Sequence, residues 1–385
     1  MLKNKIFEII DELYPVYLDV WEDVCNIESP TLYKEGVDAV GKYIINMANE
    51  RGWKVEISRQ EIVGDAVCIT MNPDAKGTPI CLSGHTDTVH PVGAFGTPAV
   101  HRDGERIYGP GVEDCKGGIV VALLAMDALH KIGFNERPIK LILQSDEENS
   151  SVLSNKKTVE FMCEKAKGAR AFFNLEGSGD ENGELCLKRK GILVYEFRIK
   201  GVPGHASRCA TVGANAILEA AHKIVDLEKF KNADGITCCC SVINGGTVSN
   251  TIPEHCTFRA NIRFATCAEQ EWMENYVQKI ASECTVPGTS CVAERISVRP
   301  PMELVDRNIE FLNDINKIYA ENGMDTFKIG SRLGGSDAAY TTIAGIPTID
   351  NIGPAGGNIH ALDEYGVLKS LKKMAKYIAI AIVYL

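Results

Sequence analysis

Histidine and carboxylate residues, which bind metals, recur where short apolar segments of this chain end. The segment PICLSGHTD ends in His85 and Asp87. Residues i and i+2 of an extended segment project to the same side, so these two side chains can meet. A metal-ligating histidine usually has its second ring nitrogen held by a carboxylate, and this pair fits that arrangement. Structural His–Asp pairs are also common, so the motif alone is a weak indication of a metal site.

Further carboxylates follow in three other motifs. GPGVEDCKGG has Asp114 just before a helical pattern, where an acidic residue could equally cap the helix. SDEENS has Glu147 and Glu148 side by side after the apolar segment KLILQ, and FFNLEGSG ends another apolar segment with Glu176. Adjacent carboxylates usually face water. Here they end a segment that must itself be buried, which argues for a specific role.

A second histidine, His360, stands in the glycine-rich motif GGNIHALDEY. Taken alone, it would more often be an ordinary loop histidine than a ligand. Together the motifs supply two histidines and three or four carboxylates. Nitrogen and oxygen ligands without thiolate suit zinc, manganese or cobalt. The carboxylates outnumber those that one catalytic zinc needs, which predicts two metals.

Motifs for other chemistries are missing from the sequence. There is no GxxxxGK[ST] phosphate loop, no GxGxxG after the first strand pattern and no GxSxG nucleophile elbow. Cys115, beside Asp114, is a poor candidate nucleophile because nothing in the sequence would lower the pKa of its thiol. These alternatives are weaker than metal chemistry.

Composition and charge limit the class of protein. The 385 residues are 45% hydrophobic and 24% charged, which suits two or three domains with sizeable cores. A net charge of -10 argues against nucleic acid or an anionic membrane as the main partner. No apolar run reaches the ~18 residues of a membrane span, and the N-terminal segment does not resemble a signal peptide. The 14 cysteines lack paired CxxC spacing. We therefore expect buried, reduced thiols and a cytoplasmic location.

The elements that must position the candidate residues alternate between strand and helix. Short apolar segments are separated by helical patterns at 119–132, 309–322 and 367–385. This alternation predicts an α/β fold, a mostly parallel sheet sandwiched by helices. Ligands of such sheets gather at the carboxyl ends of the strands, which is where the candidate residues stand.

One stretch of the chain has a different pattern. It contains strand patterns at 192–200, 236–243, 256–264 and 292–298, and helical patterns at 214–227 and 269–284. The order strand, helix, two strands, helix, strand is the β-α-β-β-α-β unit of ferredoxin-like domains. We predict that 189–301 is a smaller inserted α+β domain, and that 1–188 and 302–385 together form the catalytic metal-binding domain.

In the order of its motifs, the chain resembles the dinuclear zinc aminoacylase/carboxypeptidase family of metallopeptidases, especially the bacterial glutamate carboxypeptidase branch. The motifs that carry the resemblance span almost the whole chain: GHTDTV, GVEDCKGG, DEE, NLEGS, GVPGHASRCATVGANAI, INGGTVSNTIP, ANIRFA, LGGSDAAYT and GNIHA. One such motif would be weak evidence, whereas nine in register are specific. The resemblance implies hydrolysis of a peptide or amide bond beside a free carboxylate.

The resemblance also implies which candidate residues bind the metals and which one acts as the general base. Asp114 is expected to bridge two zinc ions, with cobalt or manganese as possible substitutes. The other expected ligands form one pair for each metal: His85 with Glu176, and Glu148 with His360. Glu147 is expected to be the general base, and Asp87 to hold His85. A cis peptide bond between Asp114 and Cys115 is also implied.

The inserted domain resembles the lid and dimerisation domain of the family. His205 in PGHAS matches a histidine that family members supply to the oxyanion from the partner subunit, which implies a homodimer formed through this domain. Asn250, Arg263 and Arg299 match positions tied to the substrate carboxylate, a task that suits the planar fork of arginine. Without the resemblance, each arginine would be interpreted as a surface salt bridge.

The chain departs from the family pattern at two positions. Cys115 stands where a second aspartate is frequent, which should not affect the metals because only Asp114 is expected to bind them. Glu184 aligns with a lysine that helps glutamate-cleaving relatives hold a side-chain carboxylate. A glutamate would repel that carboxylate, although Lys188 or Lys190 could substitute. Specificity for glutamate is therefore in question.

Four functions from two classes remain open on the sequence, of which a hydrolase of non-peptide amides is the least specific. The leading hypothesis is a carboxypeptidase or dipeptidase acting on a small peptide. An N-acyl amino acid deacylase would use the same machinery on a different acyl group. A non-catalytic metal-binding relative would keep only the fold, but every expected ligand and base position is filled in this chain.

Overall fold

The computed structural model describes residues 2–179 and 183–385. The chain divides into two compact units. The first comprises Met1–Leu187, Leu304–Ser331 and Tyr340–Leu385, and the second comprises Lys188–Glu303 and Arg332–Ala339. The main part of the second unit overlaps the predicted insertion at 189–301. The short segment Arg332–Ala339 also belongs to the second unit, whereas the sequence prediction assigned it to the catalytic domain.

The helices of the described chain are α1 (Leu2–Asn26), α2 (Lys34–Glu50), α3 (Lys116–Lys131), α4 (Lys157–Ala166), α5 (Ala216–Leu227), α6 (Cys267–Ser282), α7 (Asp306–Glu321), α8 (Ala338–Ile343) and α9 (Leu368–Tyr384), with a 3₁₀ turn at Ala206–Arg208. Five of them, α3, α5, α6, α7 and α9, follow the predicted helical patterns, whereas α2, α4 and α8 had no predicted counterpart.

The strands are more numerous, and several are very short. They are β1 (Lys54–Ser58), β2 (Ala66–Met71), β3 (Ile80–His85), β4 (His101–Asp103), β5 (Arg106–Tyr108), β6 (Ile139–Gln144), β7 (Ala171–Asn174), β8 (Glu184–Arg189), β9 (Gly191–Lys200), β10 (Gly204–His205), β11 (Thr237–Gly245), β12 (Thr251–Ile252), β13 (His255–Phe264), β14 (Ser290–Arg299), β15 (Lys328–Arg332), β16 (Thr348–Ile349), β17 (Gly356–Gly357) and β18 (Tyr365–Val367).

A six-stranded sheet forms the centre of the first unit, in the order β1-β2-β6-β3-β7-β16. The strands from β6 to β16 run parallel to one another. Only β2 pairs antiparallel, with β1 on one side and β6 on the other. The expected α/β fold with a mostly parallel sheet is confirmed.

Apolar residues cover both faces of this sheet. Successive side chains of a strand point to opposite sides, so each strand contributes residues to both faces. On one face, Ile69 and Leu82 belong to a large core cluster with residues of α1, α3, α7 and α9. On the other face, their neighbours Cys68 and Cys81 pack in a smaller cluster with residues of α4. Burial on both faces explains why β2 and the first half of β3 are mainly apolar in the sequence.

An antiparallel four-stranded sheet forms the second unit, in the order β11-β13-β9-β14. Buried residues alternate with more exposed ones along much of β9 and β13, as expected for strands with one covered face. Helices α5 and α6 contribute to the core cluster of this sheet. A capping box formed by Thr266 and Glu269 begins α6. The element order is the predicted β-α-β-β-α-β unit.

A buried ion pair lies inside the second unit. The ammonium of Lys223 lies 2.8 Å from a carboxylate oxygen of Glu219, and both side chains are almost fully buried. The ammonium also donates to the carbonyl oxygens of Ile280 and Glu283, while Glu219 accepts the N–H of Val286. Burial raises the pKa of Glu219, but the hydrogen bond from Lys223 and the N–H of Val286 hold it below its usual value.

This pair generates a stability prediction. Lys223→Met should lower the free energy of unfolding by about 3–5 kcal/mol, because it leaves the carboxylate of Glu219 buried without its cation. Lys229→Met is the matched control, since Lys229 pairs with Asp226 at the surface, where solvent screens the pair and its loss should have little effect. Urea denaturation followed by circular dichroism measures both values. Equal stabilities of the two variants would contradict the prediction.

Candidate metal centre

Three neighbouring strands of the first unit end at one edge of the sheet. β6, β3 and β7 are adjacent and parallel, so their carboxyl ends meet there. His85 is the last residue of β3, Glu147 and Glu148 follow β6, and Glu176 follows β7. The strand order therefore brings together four candidate residues that are far apart in the sequence.

Asp114 lies between two histidines. Its Oδ1 is 3.0 Å from Nε2 of His85, and its Oδ2 is 3.1 Å from Nε2 of His360. Nε2 of His360 also lies 3.3 Å from Oε2 of Glu148, and Nε2 of His85 lies 3.9 Å from Oε1 of Glu176. The five residues that the sequence suggested as ligands thus form one cluster, with Asp114 at its centre.

Asp114 and His360, the two members of this cluster that do not follow β3, β6 or β7, lie on loops. Asp114 directly precedes Cys115 and α3, and its peptide bond with Cys115 is cis, as the resemblance implied. His360 lies between β17 and β18 and has a φ of 64°. This left-handed conformation is uncommon for residues other than glycine, and surrounding contacts must hold it.

The donor set fits divalent metal ions. Donor atoms of His85, Asp114 and Glu148 all lie within 4.8 Å of one another, and so do those of His85, Cys115 and Glu176. Imidazole nitrogens and carboxylate oxygens are ligands that zinc, cobalt and manganese accept. Carboxylates packed this closely repel one another, and a cation between them removes the repulsion.

Burial and charge perturb the proton equilibria of the cluster. Burial and the charge of Asp114 raise the pKa of Glu148 to about 8 and also raise the pKa of Glu176. Burial would raise the pKa of Asp114 too, but hydrogen bonds from His360 and His85 hold it well below its usual value. Hydrogen bonds to Asp114 and Glu148 raise the pKa of His360 to about 10. Burial and mutual repulsion therefore oppose the ionised forms of Glu148 and Glu176, and a divalent cation bound there would favour them.

Asp87 holds the loop that carries the two adjacent glutamates. Its carboxylate is fully buried and accepts the N–H groups of Glu147 and Glu148, each at 3.2 Å. The nearest contact of Asp87 with Nδ1 of His85 is through its main-chain oxygen, at 2.9 Å, while its carboxylate lies 3.5 Å from that nitrogen. Asp87 therefore supports two sides of the cluster, whereas the sequence indicated only its link to His85.

Glu147 lies close to the cluster. The contacts between Asp114 and the two histidines do not involve it. It is 7% exposed. Burial and the charge of Asp114 are the main causes of the raised pKa values of Glu148 and Glu176. The charge of Glu147 raises both pKa values further. Glu147 is therefore within electrostatic range of both carboxylates.

The segment between α1 and α2 makes hydrogen bonds to residues beside the cluster, and sequence reasoning missed these contacts. Thr31 donates its hydroxyl to Oδ2 of Asp87 at 2.8 Å. The fully buried Lys116 donates to the main-chain oxygen of Ile27 at 2.9 Å and to the hydroxyl of Ser29 at 3.2 Å. Serine and threonine in a loop carry no sequence signal for partners so distant in the chain, so only the fold reveals these contacts.

The thiol of Cys115 supports the backbone of His85. Its Sγ accepts the N–H of His85 at 3.1 Å. Complete burial raises the pKa of Cys115, which keeps it a neutral thiol. A neutral thiol is a poor nucleophile, in agreement with its low rank in the sequence analysis.

Two other candidate residues lie together in the second unit. His205 ends β10, which pairs with β12, and its Nδ1 lies 2.8 Å from the hydroxyl of Ser207. Asn250 directly precedes β12 and accepts the N–H of Ala206 through its main-chain oxygen at 2.9 Å. Both side chains are exposed in the single chain.

The two candidate arginines also come together in the second unit. Arg263 on β13 and Arg299 on β14 both pair with Ile192 of β9, one on each side of that strand. Burial and the charge of Arg299 lower the pKa of Arg263, so the guanidinium groups are close enough to repel each other. Two guanidinium groups in this arrangement suit an anion such as a carboxylate.

Glu184 begins β8 and lines a cavity of about 350 Å³ in the first unit. The same cavity is lined by Asp325, Lys328 and Lys373. Charges of both signs therefore surround Glu184. Its expected influence on glutamate specificity stays a prediction.

Among the residues that the structure describes, no helix combines the length and apolar character needed to cross a membrane.

Known proteins resemble this chain in sequence and in fold. The family described as Peptidase family M20/M25/M40 matches residues 81–383. Carboxypeptidase G2 of Pseudomonas sp. (strain RS-16) is 26% identical over 363 residues, which cover 93% of this chain and 86% of the relative. A succinyl-diaminopimelate desuccinylase of Delftia acidovorans is 27% identical over 327 residues, which cover 76% of this chain and 78% of the relative. The crystal structure of the aminopeptidase PepT of Bacillus cereus has a TM-score of 0.76 at 19% identity and covers 95% of this chain and 97% of its own.

The support from Thr31 generates a stability prediction. Thr31→Val should lower the free energy of unfolding by about 1.5–3 kcal/mol, because it removes a hydrogen bond to a buried carboxylate. Thr31→Ser retains the hydroxyl and should lose less than half as much. Urea denaturation of the metal-free protein measures the difference. If valine and serine are equally tolerated, the hydroxyl of Thr31 does not stabilise Asp87.

Proposed function

Because this chain belongs to the peptidase family M20/M25/M40, a family of metal-dependent hydrolases, we propose that it uses two zinc ions to cleave a peptide bond beside a free carboxylate. The observation that carries the proposal is the position of the Asp114 carboxylate, whose two oxygens face His85 and His360 respectively. One carboxylate shared in this way suits a ligand that bridges two metals.

The remaining donors divide between the two sides of Asp114. In this proposal His85 and Glu176 hold one ion, and Glu148 and His360 hold the other. Cobalt or manganese would suit the same nitrogen and oxygen donors. Bound ions would lower the pKa of a water between them and polarise the scissile carbonyl group.

Glu147 acts as the general base in this proposal. Its carboxylate takes a proton from the attacking water and delivers that proton to the leaving nitrogen. Asp87 fixes the main chain of Glu147 and so keeps the base at a constant position. Low exposure excludes most bulk water, which strengthens the electrostatic interactions of the base.

The second unit supplies the groups for the substrate in this proposal. Arg263 and Arg299 flank the same residue of β9, and with Asn250 they would bind the free carboxylate of a small peptide. The similarity to carboxypeptidase G2 supports cleavage beside a carboxylate. Arginine forks bind carboxylates through two parallel hydrogen bonds, which fixes the orientation of the substrate.

An N-acyl amino acid deacylase is the second candidate, favoured by the similarity to succinyl-diaminopimelate desuccinylases. The same metal site and base would then act on a different acyl group. Assaying zinc-loaded protein on a panel of dipeptides and N-acyl amino acids separates the two candidates. Higher kcat/KM on dipeptides supports the peptidase, and higher kcat/KM on N-acyl amino acids supports the deacylase. Activity on neither class would refute both.

A homodimer through the second unit completes the proposal. β11 is an edge strand, and Val242 and Ile243 on it are 46% and 52% exposed. Leu218 and Val225 on α5 are also exposed, at 48% and 62%. An unpaired edge strand beside an exposed apolar helix suits an isologous contact with a second copy. In such a dimer, His205 would act on the oxyanion at the metal site of the partner.

The assignment of the base gives the first functional prediction. Glu147→Ala should bind two metals per chain but lose activity by about 10²–10⁴-fold or more, because it removes the base and no ligand. Glu148→Ala is the contrast, since it removes a proposed ligand and should lower the metal content. Elemental analysis and kcat measure the two effects. Activity of Glu147→Ala within tenfold of the wild type would refute the role of Glu147.

The role of His205 gives a prediction about mixed dimers. Glu147→Ala and His205→Ala should each be inactive alone, since an oxyanion donor is worth about 10²–10³-fold in kcat. After subunit exchange, a mixed dimer has one site with an intact base and an intact His205 from the partner. Some activity should therefore return.

The control for this experiment is a double variant that carries both substitutions. Mixed with either single variant, it cannot form a complete site and should stay inactive. Subunit exchange is followed with two fluorescent labels. If the labels exchange and the two single variants recover no activity together, His205 does not act across the dimer.

A further inference from the structure

Glu364 holds the loop that carries Asp114. Its Oε1 accepts the N–H groups of Glu113 at 2.9 Å and Asp114 at 3.1 Å, and its Oε2 accepts the N–H of Gly111 at 3.2 Å. One carboxylate therefore binds three main-chain groups of a four-residue segment. Gly111 has a φ of 73°, so this segment turns sharply around the carboxylate.

The same residue belongs to the loop that carries His360. The N–H of Glu364 donates to the main-chain oxygen of Ala361 at 3.1 Å, and the main-chain oxygen of Glu364 accepts the N–H of Gly109 at 3.2 Å. Glu364 thus connects the loop that carries Asp114 with the loop that carries His360.

Burial makes this connection specific. Glu364 is 2% exposed, and its carboxylate contacts are main-chain N–H groups. Burial and the nearby charge of Asp114 raise the pKa of Glu364 to about 7, which reflects the cost of a second carboxylate so close to the first. A carboxylate that accepts three N–H groups is restrained in direction as well as in distance, and the main chain of Asp114 is restrained with it.

We propose that Glu364 is a positioning residue that keeps the carboxylate of Asp114 between His85 and His360 and thereby sets the affinity for both metals. The inference rests on the proposed function, because it assumes that Asp114 bridges two ions. Glu364 itself binds no metal in this account. Its effect passes through the N–H groups of the Asp114 loop. Such supports of metal ligands typically change metal affinity or activity by about 10–100-fold.

Glu364→Gln tests the proposal with little change in volume. The amide keeps one oxygen for two of the N–H groups but turns an NH₂ group toward the third, where two donors face each other. Asp363→Asn is the matched control, because Asp363 is exposed and its carboxylate contacts only the side chain of Asn358 among the hydrogen bonds described. Zinc affinity of the metal-free proteins is measured by competition with a chromophoric chelator, beside thermal stability, kcat and KM.

The expected result is a loss of zinc affinity of about 10–100-fold in Glu364→Gln and none in Asp363→Asn. Saturating zinc should restore much of kcat with KM unchanged. A folded Glu364→Gln protein with wild-type zinc affinity would overturn the inference, even if its stability were lower. If Glu364→Gln does not fold, Glu364→Asp is measured in the same way, and its shorter side chain should also weaken zinc binding.

The wild-type protein separates this inference from the proposed function. If the wild type binds no zinc in the chelator assay, the proposed function fails, and the inference fails with it. If the wild type binds two zinc ions and hydrolyses its substrate while the Glu364 variants bind zinc equally well, only the inference fails.

Discussion

The concentration of buried negative charge at one sheet edge is the constraint on which the rest of the structure depends. Asp87, Glu147 and Glu364 are buried there, and the side chains of Asp114, Glu148 and Glu176 are at most 13% exposed. Burying unpaired charge costs several kcal/mol per ion. Two histidines and a set of main-chain N–H groups compensate part of it. Divalent cations would compensate the remainder, which explains why such a cluster can exist in a folded protein.

Carboxylates in this region have two different roles. Asp114, Glu148 and Glu176 face the histidines, whereas others accept main-chain N–H groups and hold the loops in place. Asp87 holds the loop of Glu147 and Glu148, and Glu364 holds the loop of Asp114. Glu113 adds a third contact of this kind by accepting the N–H of Gly179. Hydrogen bonds to carboxylate acceptors thus restrain these loops.

The second unit carries the complementary chemistry. Its antiparallel sheet brings Arg263 and Arg299 to either side of Ile192, and its short strands β10 and β12 bring His205 beside Asn250. These cationic and hydrogen-bonding groups suit an anionic substrate and a developing oxyanion. In the proposed function these groups of the second unit would bind the substrate.

The sequence by itself determined many of the elements and most of the cluster, because apolar periodicity and strand ends are local properties. The strand patterns located β3, β6 and β7, and with them His85, Glu148 and Glu176 at a shared edge. Only the tertiary structure decided how loops without a periodic pattern meet. It revealed that the hydroxyl of Thr31 donates to Asp87 and that the carboxylate of Glu364 accepts the N–H of Asp114. It also showed that Arg332–Ala339 belongs to the second unit. These contacts join residues far apart in the chain, and a hydrogen bond between distant loops leaves no pattern in either segment.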